Sequence, residues 1–176
     1  MAATNNTDHF IQEKAEVQNA DASMTFGKKT ELDTFSTTDQ HIFLIGFSGS
    51  KRAELAALLA KKLGMDVQAP KAITSSAELD ALCKEKGSII IVPQSAMGIS
   101  EVRDVLREKG KVFYLMTELL HLAHNLGLDA EQGREQIGPD FIELEPHMLA
   151  SLHFILHGWK EPEDLVENVL EPLNLL

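Results

Sequence analysis

One cysteine, one tryptophan and one tyrosine are all that the 176 residues hold of those three types. With Cys83 alone an internal disulfide is excluded, and a reducing cytosol is the expected setting. Positive charge is also scarce: 16 Lys and Arg stand against 27 Asp and Glu, a net charge of -11. That balance excludes nucleic acid and anionic membrane surfaces as expected partners, since both require a basic face. No apolar run approaches the roughly 20 residues of a membrane-spanning helix. The first residues are polar and acidic without an apolar stretch, so no secretory leader is expected and the location is read as cytoplasmic. What remains is ordinary for one globular domain, with 44% hydrophobic and 24% charged residues.

The most informative stretch is His41 to Gly64, HIFLIGFSGSKRAELAALLAKKLG. His41 to Ile45 is apolar, β-branched and aromatic, the pattern of a buried strand. Gly46-Phe47-Ser48-Gly49-Ser50 is a tight Gly/Ser loop. From Lys51 onward Leu55, Leu58, Leu59 and Leu63 recur at helical spacing, and Gly64 stands where a left-handed cap stops a helix. Strand, glycine loop and helix form the layout of a phosphate-binding P-loop, G-x-x-x-x-G-K-[ST]. Counted from Gly46, the second glycine position holds Lys51, the lysine position Arg52 and the hydroxyl position Ala53. Lys51 brings charge but also bulk. Arg52 keeps charge as a planar fork rather than a compact ammonium. Ala53 has no oxygen for magnesium. Sliding the frame by one residue puts Lys51 in register but leaves Arg52 where the hydroxyl is needed.

IFLIGFSGS…LAALLAKKLG resembles the opening of shikimate kinases, and the similarity extends from about His41 to Leu176. GSIIIVPQSAMGISEVRDVLREKGKVFYL is similar to that family's third strand, glycine-rich substrate loop, helix and fourth strand. ASLHFILHGWKEPEDLVENVLEPL is similar to its last strand and closing helix. The resemblance implies strand order 2-3-1-4-5 and ATP-dependent phosphoryl transfer to shikimate, in aromatic amino acid biosynthesis. It also implies site residues, which this chain replaces. The acidic residues past the second strand correspond to Gln68-Ala69-Pro70. The substrate subdomain shrinks to Lys71–Gly87, without an arginine. The glycine triplet after the third strand becomes Pro93-Gln94-Ser95, and the arginine-x-proline motif becomes Leu144-Glu145-Pro146. Arg134 falls near the family's lid arginine, in a polar segment where a solvated side chain is the plain reading.

Elsewhere, Met65 to Ala69 reads as a short second strand. Ser75 and Glu78 form a capping box for a helix that closes near Gly87. Ser88 to Val92 reads as a strand buried on both faces, and Lys111 to Leu115 as the next strand. Ser100 caps a helix stopped by Gly110, and Thr117 opens a leucine-rich helix ending by Gly127. Asp129 to Pro139 is polar and unassigned. Asp140 to Ala150 is helical with Pro146 breaking or kinking it, Leu152 to Leu156 is the last strand, and Pro162 starts the final helix. Such alternation predicts an α/β fold, a three-layer parallel sheet of about five strands, with the glycine loop at its C-terminal edge. Residues 1–40, rich in Asn, Thr, Asp, Ser and Gln, read as a disordered tail. A short helix near Phe10 to Ala20 and partner-binding anchors at Phe10, Ile11, Met24 and Phe26 are the sharper reading of that tail. His121 and His124 share a helix face, His153 and His157 a strand face, and His41 is an edge residue. No H-E-x-x-H motif supports a metal site.

The expectation is therefore a shikimate kinase-like domain, 41–176, that has lost phosphoryl transfer and keeps a binding or regulatory role. Its candidate phosphate-binding residues are Gly46, Ser48, Gly49, Ser50, Lys51 and Arg52, with no catalytic residue and no metal ligand assigned. ATP or phosphate is the expected ligand, and magnesium is not expected to bind. The alternative is an active small-molecule kinase with an atypical loop, using Lys51 or Arg52 on phosphate.

Overall fold

The strand His41–Ile45 (β1) has every residue buried, because it lies in the middle of the sheet with helices on both faces. In the computed structural model, which describes residues 34–176, it pairs in parallel with Ser88–Ile91 (β3) on one side and Gly110–Met116 (β4) on the other. Asp66–Gln68 (β2) and Phe154–His157 (β5) form the edges, giving the order β2-β3-β1-β4-β5 with all pairs parallel. The expected fold class and strand order are both present.

Period-two alternation divides the sheet's side chains between two cores. Ile42, Leu44, Ile89, Phe113 and Leu115 pack with Leu55 and Leu59 of Arg52–Leu63 (α1) and with Leu165, Val169 and Leu170 of Pro162–Leu170 (α7). Phe43, Ile45, Ile90, Val112 and Tyr114 face the other way. They meet Leu79 of Ser76–Leu82 (α2), Val102 and Leu106 of Ser100–Lys109 (α3), and Leu122 of Leu119–Asn125 (α4). Gly138–Ser151 (α6) completes that face with Leu144 and Met148. The three central strands thus each serve two layers, which is why their runs are mostly apolar.

Several local expectations need correction. His41 is no edge residue: it is the first residue of β1, 2% exposed, with Nδ1 accepting from the Ser88 N–H at 3.2 Å. Asp129–Pro139 holds a helix, Ala130–Gln136 (α5), opened by a reciprocal box between Asp129 and Gln132. Ser75 caps α2 by accepting from the Glu78 N–H, but the Glu78 carboxylate reaches back to Thr74, one residue further than a simple box. That helix ends at Leu82, well short of Gly87. Ile99, not Ser100, is the N-cap of α3, and Glu118, not Thr117, that of α4. Pro146 does not break α6, which runs through it from Gly138 to Ser151. The proline is on the exposed side, where the missing N–H leaves a carbonyl that water can reach. His153 precedes β5 rather than sharing its face with His157. The described domain includes Thr34–Gln40, assigned above to the tail: Phe35 is buried, and the Thr38 carbonyl accepts from the Gly87 N–H at 2.6 Å. The helix and anchors read between Phe10 and Phe26 lie outside the described residues.

Candidate functional site

The glycine loop joins the C-terminal end of β1 to the first turn of α1, at the sheet edge where the chain changes direction between β3 and β4. Gly46 and Gly49 take positive φ, 153° and 90°. A Cβ on Gly49 would meet the Leu122 carbonyl at 2.9 Å, so α4 packs directly on the loop backbone. Lys51 is the N-cap of α1 with φ 59° and ψ 29°, a left-handed conformation that favours glycine. Lys51 thus carries, on a residue with a Cβ, an angle that glycine adopts without cost.

Every candidate side chain here is engaged by the protein itself. Lys51 Nζ donates to Glu161 Oε2 at 2.8 Å, across 110 residues of sequence. That bond, together with the nearby carboxylates, raises the lysine pKa. Arg52 is half-buried, and its Nη1 donates to the Val92 carbonyl at 2.6 Å, at the end of β3. Loss of water around the guanidinium lowers its pKa to about 10, so it stays cationic at neutral pH. No carboxylate pairs with it among the described residues. The Ser50 hydroxyl is buried and donates to the Phe47 carbonyl at 2.7 Å. Gln94 Oε1 accepts from the Ser48 N–H at 3.0 Å and from its hydroxyl at 3.3 Å, while Gln94 Nε2 donates to Asp140 Oδ2 at 3.0 Å. Asn125 Nδ2 donates to the Gly49 carbonyl at 2.9 Å, and the Phe47 ring stacks on Phe141 at 4.9 Å.

A cavity of about 460 Å³ lies beside the loop, lined by residues from Phe47 to Glu54 together with Ile91, Asn125 and Leu126. Helical geometry leaves the first amides of α1 without intrahelical partners, and with Arg52 they are the groups there suited to an anion. Glu54 lines the same cavity and opposes a polyphosphate. Ala53 carries no hydroxyl, while the Ser50 hydroxyl is committed to the Phe47 carbonyl and the Ser48 hydroxyl to Gln94. Gln68 is also spent structurally, donating to Ser88 Oγ at 2.9 Å and to the Leu82 carbonyl at 3.3 Å. Arg134 is exposed in the last turn of α5 and lines neither this cavity nor the larger second one.

Of the six loop residues singled out from sequence, Ser48, Gly49, Ser50, Lys51 and Arg52 line the cavity beside the loop and Gly46 does not. The partners Gln94, Asn125, Asp140 and Glu161 were missed. Gln94 had a signal, since a long amide stood where glycine was expected. Glu161 had none, because only the fold brings it to Lys51.

No protein-family model matches the sequence, and neither does any curated protein. Solved structures do match. The shikimate kinase from Acinetobacter baumannii in complex with shikimate superposes with a TM-score of 0.62 at 15% identity, over 78% of this chain and 94% of that one. The shikimate kinase from Bacteroides thetaiotaomicron gives 0.63 at 15%, over 77% and 99%. The deoxyadenosine kinase from M. mycoides with bound dATP gives 0.55 at 13%, over 77% and 100%. Strand order, loop position and these superpositions together show that the chain has a shikimate kinase-like P-loop kinase fold.

Proposed function

We propose that this domain does not transfer phosphoryl groups and instead holds a phosphate or nucleotide weakly, without magnesium, in a binding or regulatory role. The observation that carries the reading is the bond made by the buried part of the loop's charge: the Arg52 guanidinium is spent on the Val92 carbonyl. In-line phosphoryl transfer needs charge that follows the migrating group, supplied by metal, lysine and arginine. A guanidinium anchored to a backbone carbonyl cannot follow it. Arg52 still carries a positive charge with no carboxylate partner, at the mouth of a helix whose first amides are open, and that combination supports docking of an anion.

A second reading, a working small-molecule kinase with an atypical loop, draws on the fold and on the nucleotide-bound neighbour. It requires Lys51 to leave Glu161, an exposed pair that breaks at little cost. Calorimetric titration with ATP and with inorganic phosphate, with and without magnesium, beside a coupled assay for shikimate-dependent ADP formation, separates the readings. Weak binding that is indifferent to magnesium and lost in Arg52→Gln, with no ADP formed, is expected. Turnover that disappears in Lys51→Ala or Arg52→Ala overturns the proposal. Absence of heat with every nucleotide and phosphate removes the anion-binding part.

A further inference from the structure

A second cavity, about 480 Å³, opens at the C-terminal ends of β4 and β5, walled by the start of α4, the middle of α6 and the turn after β5. Its size is that of small-molecule sites. Its wall differs in chemistry from the glycine-loop cavity. Two carboxylates, Glu118 and Glu145, two aromatic rings, Phe141 and Trp159, and two histidines, His121 and His157, line it, and no lysine or arginine does. Neither glutamate has an ion-pair partner among the described residues.

Glu145 is the centre of the argument. It is half-buried on α6, and its one described hydrogen bond is from the Tyr114 hydroxyl at 3.3 Å. Burial first, and then the charge of Glu145, raise the Tyr114 pKa, so the phenol stays a neutral donor. A carboxylate held half out of water by one long neutral hydrogen bond has unused acceptor capacity and an uncompensated charge. The wall around it is aromatic, and the indole already attracts a cation from outside: Lys160 Nζ lies 5.7 Å from the Trp159 ring centre. Trp159 is 65% exposed.

We infer that this chamber is a binding site for a small organic amine, whose primary ammonium pairs with Glu145 and whose apolar body lies against Phe141 and Trp159. Glu118 adds negative charge at the rim, and His121 and His157 complete the wall. An anion meets two carboxylates and no cation in the wall, so the chamber discriminates by sign. The site shares no residue with the loop cavity and is independent of the proposed function.

Trp159 is the only tryptophan of the chain, so its fluorescence reports this chamber without labelling. The full chain is titrated with benzylamine at pH 7, with benzyl alcohol and benzoate as the neutral and anionic counterparts of the same shape. A saturable change with benzylamine alone is expected. Glu145→Gln keeps an oxygen to accept from Tyr114 and should fold; it is expected to weaken benzylamine at least tenfold, and Glu118→Gln by a smaller factor. Equal melting temperatures of wild type and Glu145→Gln confirm that the loss is local. No saturable response to benzylamine, equal or tighter binding of benzyl alcohol or benzoate, or undiminished binding by Glu145→Gln overturns the proposal.

Discussion

At Lys51 the backbone carries a left-handed conformation on a residue with a Cβ, at a cost of about 1–2 kcal/mol that glycine would avoid. The Glu161 partner returns little of this, because both side chains reach solvent and exposed pairs are worth less than about 1 kcal/mol. Two substitutions separate the effects. Lys51→Ala loses the pair and keeps the strain, whereas Lys51→Gly loses the pair and relieves it. Lys51→Gly is expected to be the more stable of the two by about 1 kcal/mol in urea or thermal unfolding, despite the extra freedom glycine gives the unfolded chain. Equal stabilities would mean that the loop relaxes around residue 51 once the lysine has gone. This position was legible in the sequence as a mismatch to a pattern. The left-handed angle at residue 51 was not, because the residue type does not announce it.

At the scale of elements, two histidines act as acceptors for strand backbone. His41 Nδ1 takes the Ser88 N–H at 3.2 Å, and His153 Nδ1 takes the Val112 N–H at 3.0 Å. Only the unprotonated nitrogen can accept, and burial lowers both pKa values below the ordinary one. The unfolded chain binds protons near pH 6.5 while the folded sheet resists them. The stabilisation is thus complete above that pH and is lost as pH falls toward the folded values. Asp39, Glu78 and Glu101 also have lowered pKa values, but from carboxylate values that place their effect in more acidic solution. Denaturation midpoints should therefore be flat from pH 8 to 7 and fall once the pH drops below about 6.5. His153→Asn, whose amide oxygen can replace Nδ1, should flatten part of that slope. A midpoint unchanged down to pH 5 would show that neither imidazole resists protonation. Neither role could be read from the chain, since register decides which N–H faces each ring. The strands themselves could be read, because double burial leaves apolar runs such as Ser88–Ile91 with no polar break. Helix α5 was hidden for the opposite reason: its face is mostly polar, and only the Asp129–Gln132 cap marks its start.

For the molecule as a whole, the described domain begins before the first strand. Phe35 is 4% exposed in the core beneath α1 and α7, and Thr38 holds the turn at Gly87. Phe35→Ala should cost about 3–5 kcal/mol of unfolding free energy, as deletion of a buried phenylalanine ring does. A loss below about 1 kcal/mol would place residues 34–40 outside the cooperative unit. Fold class and layer assignment were readable because they depend on hydrophobic period. The clasp of Gln94, Asp140, Glu161 and Asn125 around the loop was not, because it joins residues that only the crossovers bring together. One consequence follows from the ring stack between Phe47 and Phe141. Phe47 belongs to the glycine loop and Phe141 to the wall beside Glu145, so the two chambers have a common partition of two rings. Any guest that resets this partition from one side presents a changed room to the other. Linkage then requires that each guest alter the other's affinity by one and the same factor.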